Sequence, residues 1–208
     1  MHPNPAFRDA PEAESLDFAR TRAFGTLALS AEGAPLLAHV PFLLTESGAE
    51  ADLHLVRSNP ISRAARGGAA ATLAVSGADG YVSPDWYGLG PDQVPTWNYV
   101  AVHLTGRLEP LPQSDLPDML ARQSAFFESR LLPKPPWTMD KMSGELRERF
   151  LRMILPFRLH IDRVDSTWKL GQNKPEAARE SAAGRITDGF GQDLATLGAL
   201  MRSPPRPD

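Results

Sequence analysis

Short apolar runs with period-two alternation dominate the chain, and each is bounded by Gly, Pro, Ser or Asn, which is the pattern of strands separated by turns. Ala23 to Ser30 reads as a strand, Glu32-Gly33 as the turn after it, and Pro35 to Leu44 as the hairpin partner. Pro41 has no N–H for a ladder, which predicts an edge or a bulge at that point. Asp52 to Arg57 reads as a third strand, with Leu53, Leu55 and Arg57 on one face and Asp52, His54 and Val56 on the other. Ala69 to Ser76 is a fourth, and Gly80 to Ser83 continues it or begins another. Trp97 to Leu108 is a long strand. Phe157 to Trp168 is the last, alternating Leu159, Ile161 and Arg163 against His160, Asp162 and Val164.

Helical spacing appears between and after these runs. Residues 15–21 read as a short helix with Ser15 as N-cap. Ser58-Asn59-Pro60 starts another that should reach about Arg66, since Pro fits the first helical position. Gln113 to Arg130 and Gly144 to Met153 read as helices, the first amphipathic, followed by Pro175 to Ala183 and Gln192 to Arg202. Pro84 to Pro95 reads as a loop, Leu132 to Pro136 as a rigid loop, and the tail with Pro204, Pro205 and Pro207 as disordered. Six or so strands joined mostly by short turns, without the βαβ units of a doubly wound fold, predict a mainly β protein. The expected architecture is a closed or split antiparallel barrel with peripheral helices.

Composition narrows the function classes. A chain of 208 residues fits one large domain or a domain with appendages. With a net charge of −3 there is no global basic field, so any contact with DNA would use a local patch. There are no cysteines, which rules out disulfides, thiolate catalysis and Cys-ligated metal centres. Residues 1–11 lack the layout of a signal peptide, and no run approaches the roughly 20 apolar residues of a membrane span. The expected compartment is the cytoplasm, with no membrane partner.

Five of the chain's seven Trp and Tyr residues lie between positions 81 and 99: Tyr81, Trp86, Tyr87, Trp97 and Tyr99. Alternation along the strand from Trp97 puts Trp97, Tyr99 and His103 on one polar-aromatic face. Asn98, Val100, Val102 and Leu104 take a mostly core-like face. The first face suits either a flat ligand or a protein interface. A second group, Lys169-Leu170-Gly171-Gln172-Asn173-Lys174, sits at a strand-to-helix junction, where cations, amides and free N–H groups suit a phosphate or a polar ring edge; an ordinary solvated turn has the same composition. In His54-x-x-Arg57-x-Asn59-Pro60, a guanidinium ending a strand meets a helix-capping Asn, again suited to a phosphate or to simple capping. The five histidines show no metal-ligand spacing, although His39, His54 and His103 all fall on strands. No phosphate-binding glycine loop or nucleophile elbow is present, and no catalytic acid–base pair stands out.

In order and wording, several blocks together resemble the PaiB-type FMN-binding negative transcriptional regulators. The blocks are His39-Val40-Pro41, His54-Leu55-Val56-Arg57-Ser58-Asn59-Pro60, Gly80-Tyr81-Val82-Ser83-Pro84-Asp85-Trp86-Tyr87, Val94-Pro95-Thr96-Trp97-Asn98-Tyr99 running on to His103 and Gly106, and Lys169 to Lys174. The resemblance covers roughly residues 1–185, which it marks as an FMN-binding split-barrel domain, leaving 186–208 as a C-terminal helix and Pro-rich tail. Gly171 departs from the Ser expected in the last block, which removes a hydroxyl donor. The resemblance implies a split β-barrel, and a homodimer with FMN at the subunit interface. It also implies a site in which Trp97, Tyr99 and Trp86 form the slot, and Asn98, Gln172 and Asn173 supply amides. Arg57, Lys169 and Lys174 meet the phosphate beside the Asn59 cap, and Ser83 or Thr96 adds a hydroxyl. It implies a repressor, with DNA as a possible partner. The alternative is an FMN-dependent oxidoreductase of the flavin reductase or pyridoxamine-phosphate oxidase kind, with His103 and Tyr99 nearest the chemistry.

Overall fold

The computed structural model describes residues 1–206. In chain order the elements are α1 (Glu12–Arg22), β1 (Phe24–Leu29), β2 (Leu36–Leu44), β3 (Glu50–Val56), α2 (Pro60–Ala64), β4 (Ala69–Val82), β5 (Thr96–Pro110), α3 (Leu116–Glu128), α4 (Gly144–Met153), β6 (Ile154–Lys169), α5 (Glu176–Arg185), β7 (Gly191–Gln192) and α6 (Leu194–Arg202). The strands lie in the order β1-β2-β3-β6-β5-β4-β7, and β1 pairs a second time with β4. Six strands therefore close into a barrel, the arrangement the strand pattern predicts. The chain divides into two compact units, one of residues 19–74 and 104–163, the other of residues 1–18, 75–103 and 164 onward. The three longest strands, β4, β5 and β6, each contribute residues to both.

In the barrel unit, β1 pairs antiparallel with β2 from Phe24↔Pro41 to Leu29↔Leu36, and with β4 from Thr26↔Ala74 to Leu29↔Ala71. The alternating apolar positions fill the interior: Leu27, Phe42, Leu53, Leu73, Leu104, Leu108, Phe157 and Leu159 are all fully buried. Each such side chain stabilises the fold by about 1.5–3 kcal/mol relative to exposure. Gly106 marks the tightest approach, since a Cβ there would fall 1.8 Å from the His160 carbonyl oxygen. Pro41 is not at an edge, because a closed barrel has none. It pairs with Phe24, and the β2–β3 ladder begins one residue later at Phe42↔Leu53, so the missing N–H falls outside that ladder.

The outer face of β3 is covered by α3 around a buried carboxylate. Asp52 accepts from Arg158 at 2.7 and 3.1 Å and from Arg122 at 2.9 Å, while Gln123 donates to its carbonyl at 3.3 Å. Burial alone would raise its pKa. The hydrogen bonds from Arg158 and Arg122 outweigh burial and hold the carboxyl below its usual range.

In the second unit, Val82, Tyr87, Val100, Trp168, Leu170, Ala178, Ala182, Ile186, Leu197 and Met201 form one core cluster. Helix α1 begins at Glu12, so Ser15 does not cap it. Ser15 is buried inside the helix and accepts from the Trp168 indole at 3.2 Å. The run Gly80–Ser83 is no separate strand, because β4 continues unbroken to Val82. Strand β7 follows no sequence signal: Gly191 and Gln192 pair with Gly80 and Asp79. Helix α6 falls within the predicted Gln192–Arg202, and Arg179 of α5 donates to the carbonyls of Met201 and Arg202 at its end. Pro207 lies outside the described residues.

Candidate functional site

Strand alternation on β5 sorts its residues as expected. Asn98, Val100, Val102 and Leu104 are buried, Tyr99 and His103 are half-buried, and Trp97 is 45% exposed. Asn98 is the anomaly on the buried face. It is 1% exposed, and neither its Nδ2 nor its Oδ1 has a hydrogen-bond partner among the described residues. An unpaired buried amide costs about 1–3 kcal/mol, so it calls for a partner from outside the chain.

The Lys169–Lys174 turn lies beside it. A Cβ on Gly171 would stand 3.8 Å from Asn98 Nδ2. Gly171 itself has φ +85°, in the left-handed region, and its carbonyl accepts from Lys174 N at 2.9 Å. The turn geometry explains why glycine rather than the expected serine stands here, because a side chain at this φ is strained. Two cations tie the turn to the start of β5 and the segment just before it. Lys169 Nζ donates to Thr96 Oγ1 at 2.5 Å and lies 5.8 Å from the Phe7 ring, and Lys174 Nζ donates to Gln93 Oε1 at 2.6 Å and lies 5.2 Å from the Tyr87 ring. Burial pushes the Lys169 amine below its usual pKa and the Tyr87 phenol above its own. The two blocks singled out in the sequence therefore meet within one unit.

The remaining named residues lie as follows. Gln172 folds back on its own turn, accepting from Leu170 N at 2.8 Å and donating to the Trp168 carbonyl at 2.5 Å. Asn173 is exposed. Ser83 precedes the 3-10 turn Pro84–Tyr87 without capping it by its side chain. Trp86 packs against the core cluster and over Gly189. Trp97 meets Tyr81 and Phe190 edge-on at 6.5 and 5.7 Å, and Tyr81 stacks on Phe190 at 5.3 Å. Phe190 was not singled out by sequence; an isolated apolar residue between Gly189 and Gly191 was its only signal.

Arg57 and Asn59 belong to the barrel unit. Asn59 caps α2, its Oδ1 accepting from Ile61 N at 2.9 Å. Arg57 Nε donates to the Arg152 carbonyl at 3.0 Å and its Nη2 to Gln113 Oε1 at 3.3 Å, so the guanidinium closes the end of α4. The histidines each have local surroundings. His39 bonds Thr26, and His54 bonds Gln123 with its pKa lowered mainly by burial. His103 is likewise lowered, first by burial and then by the N-terminal charge, with Asp165 opposing. Among the described residues no three His, Asp or Glu side chains are placed to hold a metal ion.

A flavin mononucleotide needs polar partners for its ring edge and cations for its phosphate. The second unit supplies the buried, unpaired Asn98 amide, the Lys169 and Lys174 ammonium groups, and the Tyr81–Trp97–Phe190 aromatic group. The donor set fits.

Comparison with known proteins agrees. A family profile described as "Putative FMN-binding domain" matches residues 1–163. The chain is 27% identical over 175 residues to the protease synthase and sporulation protein PAI 2 of Bacillus subtilis (strain 168), the match covering 83% of each chain. Among solved structures, the FAD and heme binding protein of Mycobacterium smegmatis aligns with a TM-score of 0.59 at 21% identity, covering 88% of this chain and 81% of that one. The flavocytochrome Anf3 of Azotobacter vinelandii aligns with a TM-score of 0.52 at 15% identity, covering 76% of this chain and 67% of that one. These two similarities show the fold: a β-barrel with peripheral helices.

Proposed function

Because the chain belongs to the FMN-binding domain family, with FMN as its cofactor, we propose that it is a cytoplasmic, homodimeric flavoprotein of the PaiB type that represses transcription. The observation that carries the reading is the buried Asn98 amide with both polar atoms unpaired among the described residues, beside a turn that holds two lysines. In this reading Asn98 hydrogen-bonds the polar edge of the flavin. Lys169 and Lys174 neutralise its phosphate, and Thr96 or Ser83 adds a hydroxyl. Trp97, Tyr99 and Trp86 bound the ring, and Gln172 and Asn173 line its rim. When bound, FMN supplies reversible electron and hydride transfer, and the protein's part is to bind it, orient it and limit its access to water. Residues 1–185 carry the flavin site, and Ile186, Leu197 and Met201 pack into the same core cluster as Val82, Tyr87 and Val100. No helix among the described residues is long and apolar enough to cross a membrane. The kinship with PAI 2 supports the regulatory role.

Titration of FMN against the purified protein tests the cofactor site. Quenching of flavin fluorescence is expected with the wild type and weaker quenching with Asn98→Leu. A mobility-shift assay on the DNA upstream of the protein's own gene tests the repressor. Salt-sensitive, sequence-preferring retardation is expected, and equal binding to unrelated DNA would overturn it. An oxidoreductase is the second reading, favoured by the half-buried His103 on the polar-aromatic face of β5, which burial keeps neutral and able to accept a proton. Steady turnover of NADH or NADPH by the FMN-loaded protein would favour it over repression.

A further inference from the structure

Beside α3 the barrel unit holds a pocket that the flavin reading does not use. Its volume is about 300 Å³, the size at which small-molecule sites begin. Pro41, Leu120, Phe127 and Trp137 form its apolar wall. Trp137 is the unusual member. It is 37% exposed, and hydrogen bonds fix the loop that carries it. Its N–H donates to Glu128 Oε2 at 2.8 Å, Lys134 Nζ donates to the same oxygen, and Lys141 Nζ donates to the Pro136 carbonyl at 3.0 Å. The loop after α3 thus holds a partly bare indole over a cavity, which leaves apolar surface in water and suits a flat ligand. The same indole lines a second cleft of about 160 Å³ with Met139 and Met142, side chains that adapt to different shapes.

The polar groups of the pocket decide what that ligand must carry. Gln123 is buried, and its Nε2 donates to the Asp52 carbonyl at 3.3 Å, an oxygen that can only accept. This fixes the amide, so the atom 3.0 Å from His54 Nδ1 is the acceptor Oε1, and the imidazole donates to it. Burial lowers the His54 pKa, so the ring is neutral at neutral pH. With the proton on Nδ1, Nε2 keeps its lone pair, and it has no hydrogen-bond partner among the described residues. Glu128 adds little net charge, because the Lys134 ammonium and the Trp137 N–H already hold its carboxyl below the usual range. Ser124 can donate or accept and does not select. Among the described residues no Lys or Arg lines the pocket, so it does not suit a phosphate. We propose that this pocket binds a small, neutral, flat aromatic molecule with one N–H or O–H donor. The donor meets His54 Nε2, and the ring lies against Trp137, Leu120 and Phe127.

Titration calorimetry of the full, FMN-loaded chain with 2-naphthol and 2-methylnaphthalene tests the proposal. The two probes share one shape and differ by a hydroxyl in place of a methyl group. 2-Naphthol is expected to bind one per chain, about tenfold more tightly than 2-methylnaphthalene. Trp137→Ala is expected to weaken both by a similar factor, and His54→Phe to abolish the preference. In the wild type, the ¹⁵N resonance of His54 Nε2 should move with 2-naphthol and stay with 2-methylnaphthalene; if His54→Phe does not fold, this resonance decides alone. Equal binding of the two probes, or binding of neither, overturns the proposal. So does a preference that survives His54→Phe, or an Nε2 resonance that ignores 2-naphthol. Release of FMN by 2-naphthol in proportion to its binding also overturns it, because the probe would then be occupying the flavin site.

Discussion

Replacing Asn98 by leucine separates a side chain kept for a ligand from one kept for the fold. The two side chains share a branched shape of four heavy atoms and leucine is the bulkier, so the change removes polarity without opening a cavity. In the protein without flavin, Asn98 Nδ2 and Oδ1 are buried and unpaired among the described residues, at a cost of about 1–3 kcal/mol. Asn98→Leu removes that cost, and the neighbours of the strand's buried face, Val100 and Val102, already make the face apolar. The flavin-free variant is therefore expected to be more stable than the wild type by about 1–2 kcal/mol, or roughly 2–8 °C in Tm for a chain of this length. The opposite sign is expected for binding. Loss of one or two hydrogen bonds to FMN should weaken Kd by about 5- to 30-fold. Wild-type protein at 100 times Kd gains about 2.7 kcal/mol from flavin, and the variant should gain less. Differential scanning calorimetry with and without FMN, alongside fluorescence titration, reads both signs. A variant that is less stable without flavin and binds it as tightly as the wild type would refute the reasoning, because Asn98 would then be serving the fold.

Three further outcomes follow from the geometry. Gly171→Ser, which restores the residue expected from the resemblance, should destabilise the protein by about 1 kcal/mol in urea unfolding because of the left-handed φ at that position. Lys169→Met should weaken FMN about tenfold. In the wild type the affinity should fall as pH rises through the Lys169 pKa, which burial holds below that of an exposed lysine, and the variant should lack that alkaline loss. The carboxyl of Asp52 is depressed in the fold, so its stabilisation is present above the unfolded pKa near 4 and is lost as pH falls through the lower folded value. Arg158→Met leaves Asp52 with Arg122 alone, so it should cost about 2–4 kcal/mol at neutral pH and raise the pH at which acid unfolding begins.

The strands and their faces were legible because burial follows a period of two, and this is how Asn98 could be placed opposite Trp97 from sequence alone. Barrel closure was legible from the run of strands without crossover helices. The misplaced features are those set by partners distant in sequence. Ser15 looks like a helix cap until Trp168, 153 residues away, supplies its hydrogen bond. Pro41 looks like an edge marker because the sequence does not show where β2 exchanges one neighbour for the other. Strand β7 is two residues long and has no periodicity to read, and Phe190 becomes visible only once β7 brings it onto Tyr81. The Lys169–Lys174 block was legible as a polar junction. That Gln172 bonds its own turn while Asn98 goes unpaired follows from backbone path, which residue types do not encode.

The family match stops at residue 163, yet β6 runs from Ile154 to Lys169. A fragment ended at that boundary would break a strand in mid-course and discard Trp168, Leu170, α5 and α6, together with both lysines of the turn. Val82, Tyr87 and Val100 would lose the neighbours that keep water from them, and the severed product should be insoluble rather than merely unable to take up flavin. Any shortened version of the protein should keep the segment through Arg202 with β6, since what folds as one piece is longer than what the family match spans.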